Sequence, residues 1–104
     1  MKTYEAIRDR FTELVVTVNG APLDPRLDLV NHSPTGFECG YGGSGPAQLA
    51  LALLADYLGD DEAAVQMHQP FKWQVVSKLS RNGWTLTSEQ LRDVVTDLRQ
   101  QERS

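Results

Sequence analysis

The hydrophobic pattern in the first part of the chain is typical of β-strands. Thr3–Arg8 and residues 13–18 each favour an extended conformation, and the second segment is rich in β-branched side chains. The short polar link at residues 9–12 predicts that the two strands form a hairpin. We therefore expect an antiparallel pair at the start of the domain.

A turn and an irregular segment follow this hairpin. Asn19-Gly20 predicts a tight turn, because both residues tolerate positive φ, and residues 21–23 are expected to return as a short third strand. Pro22 lacks a backbone N–H, which confines that strand to a sheet edge. Residues 24–36 are predicted to form an ordered loop, and residues 37–39 to add one more short strand.

A central helix is predicted at residues 46–58, which are mostly strong helix formers and apolar on nearly every face. Pro46 suits the first helical position, and Gly59 suits a left-handed C-terminal cap. Asp60 is expected to cap a second helix, in which Pro70 predicts either a kink or a division into two short helices. The inward face of this segment has a four-residue repeat, formed by Met67, Phe71, Val75 and Leu79.

The last helix has the clearest start signal. Asn82-Gly83 is expected to end the preceding segment, and Thr87-Ser88-Glu89-Gln90 forms a capping box, with Leu86 and Leu91 as the hydrophobic staple. The predicted fold class is α+β, with an N-terminal antiparallel hairpin or small sheet packed on about three helices. We expect one domain over residues 1–104, in which 1–39 are mainly strand and loop, 40–46 a glycine-rich turn and 46–102 helical.

Composition limits the possible functions. The 104 residues are 40% hydrophobic and 23% charged with a net charge of −4, which is typical of one globular domain and has the wrong sign for direct nucleic-acid binding. No apolar run is long enough to span a membrane and the N-terminus lacks a secretory pattern, so we expect a cytoplasmic protein without membrane contact. A lone Cys39 excludes a cysteine-based zinc site, and two histidines are too few for most metal chemistry. Neither a metal nor a cofactor is predicted.

The unusual segment is Gly40-Tyr41-Gly42-Gly43-Ser44-Gly45-Pro46, directly before the central helix. It matches G-x-G-x-x-G, but the second helix that follows does not fit a dinucleotide fold. Ser44 is close to a nucleophile-elbow pattern, with His32 or His68 and Asp28 as possible partners, yet a chain this short cannot supply the large sheet that such an elbow needs. A small hydrolase is therefore our third hypothesis, and we predict that the protein is not an enzyme.

Two other interpretations of the glycines stay open. The glycines permit a tight turn capped by Ser44 or Gly45, or their N–H groups form a nest for an anionic or nucleotide-like ligand. The candidate ligand- or partner-binding residues are His32, Gly40, Tyr41, Gly42, Gly43, Ser44, Gly45 and Gln48. An exposed tryptophan beside Lys72, Lys78 and Arg81 would instead mark a surface for a protein partner.

The segment at residues 37–54, Phe-Glu-Cys-Gly-Tyr-Gly-Gly-Ser-Gly-Pro-Ala-Gln-Leu-Ala-Leu-Ala-Leu-Leu, resembles a family of small domains of unknown function from bacteria, archaea and phages. The resemblance extends through residues 68–72 and 84–87. It implies no activity, cofactor or catalytic residue, but it does imply an association with mobile elements. The first hypothesis is thus a non-catalytic binding protein that inhibits a host defence complex, and the alternative is a binder of a small anionic ligand.

Overall fold

A computed structural model describes residues 1–103. Four strands form one antiparallel sheet in the order β3-β2-β1-β4: β1 is Thr3–Arg8, β2 is Leu14–Val18, β3 is Ala21–Pro22 and β4 is Gly83–Thr87. Three helices accompany the sheet, so the predicted α+β class is confirmed.

The predicted hairpin and the turn after it are both present. The Asp9 carboxylate accepts the backbone N–H groups of Phe11 and Glu13, which closes the link between β1 and β2. Asn19 and Gly20 have φ values of 49° and 85°, as a tight turn between strands requires. The third strand is shorter than expected, because it pairs with β2 through two residues only.

Strand β4 corrects the prediction that residues 46–102 are helical. It pairs with β1 along its whole length, so the sequence-distant segment after the second helix completes the sheet. Gly83 begins the strand with φ 149°, and a Cβ there would lie 2.8 Å from the Ala6 carbonyl oxygen. Gly83 therefore permits a close approach of two strands rather than ending a helix.

The central helix α1, Ser44–Leu58, is buried on every face from Gly45 to Ala55. Its N-cap is Gly43, which corrects both Ser44 and Gly45 as the predicted cap and moves Pro46 from the first to the third helical position. The proline still costs no hydrogen bond there, because the N–H groups of the first turn have no intrahelical partner. The predicted cap at Gly59 is confirmed, with φ 64°.

Helix α2, Asp61–Gln74, is continuous through Pro70, so the alternative of two short helices is wrong. The Asp60 side chain caps it by accepting the Ala63 N–H at 3.1 Å. A single 3₁₀ turn, Val76–Lys78, follows and leads to β4.

Helix α3, Ser88–Arg103, begins with the predicted capping box. The Thr87 N–H donates to the Gln90 side chain at 2.9 Å, and the Gln90 N–H donates to the Thr87 hydroxyl at 3.3 Å. The inward residues Leu91, Val95 and Leu98 are buried in the core that α1 shares with the sheet.

The strand predicted at residues 37–39 does not form. Phe37 makes only an isolated bridge to Leu14, and the chain then enters the glycine-rich turn. Within residues 1–103 no helix is both long and apolar enough to cross a bilayer.

Candidate functional site

The glycine-rich turn is a stretch of bare backbone on which large side chains lie. A Cβ at Gly42 would overlap the indole ring of Trp73, and one at Gly43 would overlap the ring of Tyr41. A Cβ at Gly40, which has φ 84°, would lie 2.5 Å from Cγ of Arg81. Because these glycines have no side chains, there is room for side chains from α2, from the turn itself and from the segment before β4 to lie on one surface.

Tyr41, Trp73 and Arg81 form an exposed aromatic and cationic surface, and Lys72, which is itself only 8% exposed, lies against Trp73. Trp73 is 56% exposed and Tyr41 is 44% exposed. The Lys72 ammonium lies 4.4 Å from the Trp73 ring centroid, and the Arg81 guanidinium lies 5.7 Å from that of Tyr41. Both separations fall within the range of cation–π attraction. We call Tyr41, Lys72, Trp73 and Arg81 the aromatic face.

An acidic cleft of about 340 Å³ opens on another side of the turn. Tyr41, Ser44 and Gly45 line it together with the carboxylates of Glu13 and Glu38. Arg8 binds Glu38 through two contacts, at 2.7 and 3.0 Å, and this ion pair holds the pKa of Glu38 below its usual value. Glu38 is therefore ionised at neutral pH.

This arrangement is poorly suited to an anion at the start of α1. The first turn offers the N–H groups of Ser44 and Gly45, but Pro46 has none, and the N-cap Gly43 contributes no side chain. A Cβ at Gly45 would lie 2.7 Å from Cβ of Glu38, which places that acidic residue directly beside the helix start. The negative charge of Glu38 opposes the attraction that the helix dipole would give an anion.

Gln48, a predicted binding residue, uses its side chain to hold the loop at residues 24–36. It is 0% exposed, its oxygen accepts the N–H groups of His32 and Ser33 at 2.7 and 3.1 Å, and its amide donates to the carbonyls of Pro25 and Val30 at 2.6 and 3.0 Å. A glutamine side chain has two donor hydrogens and one oxygen with two lone pairs, so its hydrogen-bonding capacity is fully used.

His32 turns its ring toward α2 rather than toward the glycine-rich turn. Its Nε2 lies 2.9 Å from Nε2 of His68, while Nδ1 of His68 lies 2.6 Å from the Val65 carbonyl oxygen. Burial lowers the pKa of His68, so its neutral form is favoured.

The structure does not assemble the constellation considered for Ser44. Ser44 is exposed, the two histidines contact one another, and Asp28 forms an ion pair with Arg26. Cys39 is fully buried, and burial raises the pKa of its thiol. The absence of enzymatic activity stays a prediction.

The comparisons with known proteins agree with the resemblance seen in the sequence. The model of a family of unknown function, DUF6166, matches residues 4–97, which include all of β1 except Thr3, the other three strands and the three helix starts. The chain belongs to this family. Neither a curated protein nor a solved structure matches the chain significantly.

Part of the aromatic face in this DUF6166 chain is predictable from its sequence. Tyr41 was a candidate, and the proposed tryptophan surface with Lys72 and Arg81 is formed by Trp73, whereas Trp84 packs against the core. The contact between the glycines and that surface was not predicted. Four glycines next to an aromatic residue were a signal of close side-chain approach, but the partner Trp73 lies 31 positions beyond Gly42, as their numbers show.

Proposed function

We propose that this DUF6166 chain is a non-catalytic binding protein that holds an acidic segment of another protein on its aromatic face. The observation that carries the proposal is the exposure of Trp73 on the bare backbone of Gly42, with the Lys72 ammonium over its ring. Tryptophan, tyrosine and arginine are the residues that most often dominate the free energy of protein association. The face contains one of each.

The charge of the face supports an acidic partner. The chain as a whole has a net charge of −4, yet the exposed Arg81 and the largely buried Lys72 place two cations beside the exposed rings. The exposed Lys78 lies between them in sequence, on the 3₁₀ turn. Such a local reversal of sign attracts carboxylates and repels cationic partners. An apolar side chain flanked by carboxylates would fit both features of the face.

The rings are also held in place before any partner arrives. Trp73 lies on the glycine-rich backbone and under Lys72, while Tyr41 contacts Gly43 and lies under Arg81. A side chain that is already ordered loses less conformational entropy on binding. The narrower hypothesis of a mobile-element inhibitor of host defence would use this same surface.

The charges around the glycine-rich turn favour a protein partner over a small anion. The cleft at the start of α1 carries Glu13 and Glu38, and the one arginine bonded to Glu38, Arg8, is engaged by that carboxylate. Neither feature favours a polyphosphate.

Selection from a random peptide library on the immobilised protein tests the proposal. We expect enriched peptides in which a large apolar residue is flanked by Asp or Glu, with affinity that falls as salt concentration rises. Trp73→Ala should weaken their binding by about 2 kcal/mol or more, because the anchor ring is lost.

Phe11→Ala is the matched control, since Phe11 is an aromatic side chain 70% exposed at the hairpin tip with Arg10 stacked on it at 5.0 Å. The control should bind the selected peptides as the wild type does. Enrichment of peptides without carboxylates, or binding lost in Phe11→Ala and retained in Trp73→Ala, would contradict the proposal.

A further inference from the structure

The two histidines of the chain hold a loop against a helix. His32 belongs to the loop at residues 24–36 and His68 to α2, and their Nε2 atoms are 2.9 Å apart, with ring centroids at 5.1 Å and an interplanar angle of 43°. His68 is 5% exposed, whereas His32 is only partly buried. Because both rings use Nε2 for this contact, its strength depends on which ring nitrogens carry hydrogen.

The hydrogen bond to Val65 fixes where the hydrogen of neutral His68 lies. A carbonyl oxygen only accepts, so Nδ1 of His68, 2.6 Å from that oxygen, carries the hydrogen and Nε2 has the lone pair. His32 then donates its Nε2–H to this lone pair. The neutral pair therefore has a single hydrogen between its two rings.

The pair can accept one proton without losing this hydrogen bond, but not two. A proton added to His32 binds at Nδ1, and its Nε2–H still donates to His68. A second proton has to bind at Nε2 of His68, which would place two N–H groups opposite each other at 2.9 Å and a positive charge on each of two adjacent rings. The doubly protonated rings must therefore separate.

The surroundings of His68 oppose its protonation. Burial is the main reason that the pKa of His68 lies below its ordinary value, and the positive charges of His32 and Lys72 lower it further. The backbone bonds to Val65 and Ala64 act in the opposite direction, but they do not reverse the shift. The closed pair therefore binds its second proton less readily than a solvent-exposed imidazole does.

The neighbouring elements do not compensate a second positive charge on the pair. Within residues 1–103, neither histidine forms an ion pair with a carboxylate. Lys78, on the 3₁₀ turn that follows α2, is a further cation. Carboxylates of the surrounding elements are bonded to other side chains: Asp56 of α1 to Lys2 and Tyr4, Asp97 of α3 to Gln74, and Asp28 of the loop and Asp61 of α2 to Arg26.

We propose that His32 and His68 form a proton-controlled latch, which holds the second half of the loop, residues 31–36, against α2 at neutral pH and loosens it when both rings are protonated. Two other attachments of the loop do not depend on imidazole. They are the ion pair of Arg26 with Asp61, at 2.8 Å, and the hydrogen bonds of the Gln48 amide. The opening is therefore local and leaves the rest of the domain folded.

Acid favours the open loop because the open state binds one more proton than the closed state. A free imidazole titrates near pH ~6.5, so the equilibrium constant for opening rises up to ~10-fold for each pH unit below that value, until the closed pair itself takes up the second proton. Ser33, Thr35 and Gly36 of this segment line the acidic cleft beside the glycine-rich turn. Release of the latch therefore loosens one wall of that cleft.

Amide hydrogen exchange of the full chain at pH 7.5 and pH 5.0 tests the proposal, with each rate divided by the rate of an unstructured peptide at the same pH. The amides of His32 and Ser33, which donate to Gln48, should lose protection by roughly 10-fold at the lower pH. The Leu29 amide, which donates to the Arg26 carbonyl in the first half of the loop, is the internal control and should change little. Imidazole ¹⁵N spectra at pH 7.5 should show the hydrogen of His68 on Nδ1.

His32→Gln is the decisive variant, because a glutamine amide can donate to neutral His68 and accept from protonated His68. The contact then survives in both states, and the acid-induced loss of protection at residues 32 and 33 should disappear. His68→Gln should act in the same way, since it also leaves only one titrating ring. Equal losses of protection in wild type and both variants, no loss in the wild type, a loss at Leu29 as large as at His32, or a hydrogen on Nε2 of His68 at pH 7.5 would each overturn the proposal.

Discussion

Replacement of Gln48 by leucine should destabilise the domain strongly although it conserves volume. Gln48 makes four hydrogen bonds from inside α1 to the loop at residues 24–36, at distances from 2.6 to 3.1 Å. A leucine keeps the packing around α1 but removes all four bonds. It also leaves two backbone N–H groups and two carbonyls without the partner that the fold gives them.

The expected loss of stability follows from these four bonds. Each hydrogen bond contributes about 0.5–1.5 kcal/mol net, so four of them amount to roughly 2–6 kcal/mol. Pro25, Val30, His32 and Ser33 are only partly buried, and water can replace part of the lost bonding. We therefore expect Gln48→Leu to lower the free energy of unfolding by about 2–4 kcal/mol.

Urea denaturation of Gln48→Leu beside Gln66→Leu measures this effect. Gln66 is an exposed glutamine of α2, and its replacement should change stability by no more than about 0.5 kcal/mol. Hydrogen exchange should show that the amides of His32 and Ser33 lose protection before the rest of the domain does. Equal stabilities of the two variants, or unchanged protection at those amides, would refute the role assigned to Gln48.

Three further predictions address the fold, its pH dependence and the turn. Gly83→Ala should lower the free energy of unfolding by about 1–3 kcal/mol, because φ is 149° and the new Cβ would lie 2.8 Å from the Ala6 carbonyl oxygen. A urea denaturation midpoint equal to that of the wild type would contradict this. Arg8 lowers the pKa of Glu38 in the folded state. The contribution of Glu38 to the free energy of unfolding is therefore fully present above the pKa that Glu38 has in the unfolded chain, and it is lost as the pH falls through its pKa in the folded state. The wild type should therefore lose its stability advantage over Glu38→Gln on acidification below about pH 4, and an advantage independent of pH would exclude the ion pair as its source. Saturating phosphate should leave the amide resonances of residues 42–47 unmoved, and shifts there would restore the anion-binding alternative.

The parts of the fold that were predictable are those determined by local patterns. The turn at Asn19-Gly20 follows from the φ values that these residues tolerate, and the start of α3 follows from reciprocal bonds between Thr87 and Gln90. In both cases the residues that determine the structure lie within four consecutive positions of the chain. Strand β4 was missed although Trp84 and Leu86 alternate with threonines, because Asn82-Gly83 was interpreted as a helix end and the pairing partner β1 lies at the other end of the chain.

The candidate site was less predictable for the same reason. The glycines marked the turn, but their role depends on Trp73 and Arg81, which reach the turn only through the tertiary fold. Gln48 was a predicted binding residue. Only the positions of the loop carbonyls and N–H groups show that its side-chain hydrogen bonds are made within the protein. The contact of His32 with His68 likewise has no signal in the spacing of 36 residues.

The most direct test of the binding proposal is an NMR titration of the ¹⁵N-labelled protein with an acidic peptide that carries one central leucine. The chain has 2 tryptophans, so the indole N–H signals of Trp73 and Trp84 report separately on the aromatic face and on the core. We predict that the Trp73 indole and the amides of residues 40–43 shift, that the Trp84 indole does not, and that a peptide with lysine in place of each acidic residue has no effect. Shifts confined to the hairpin around Phe11, equal shifts with both peptides, or no shift at saturating peptide would contradict the aromatic face as the binding surface.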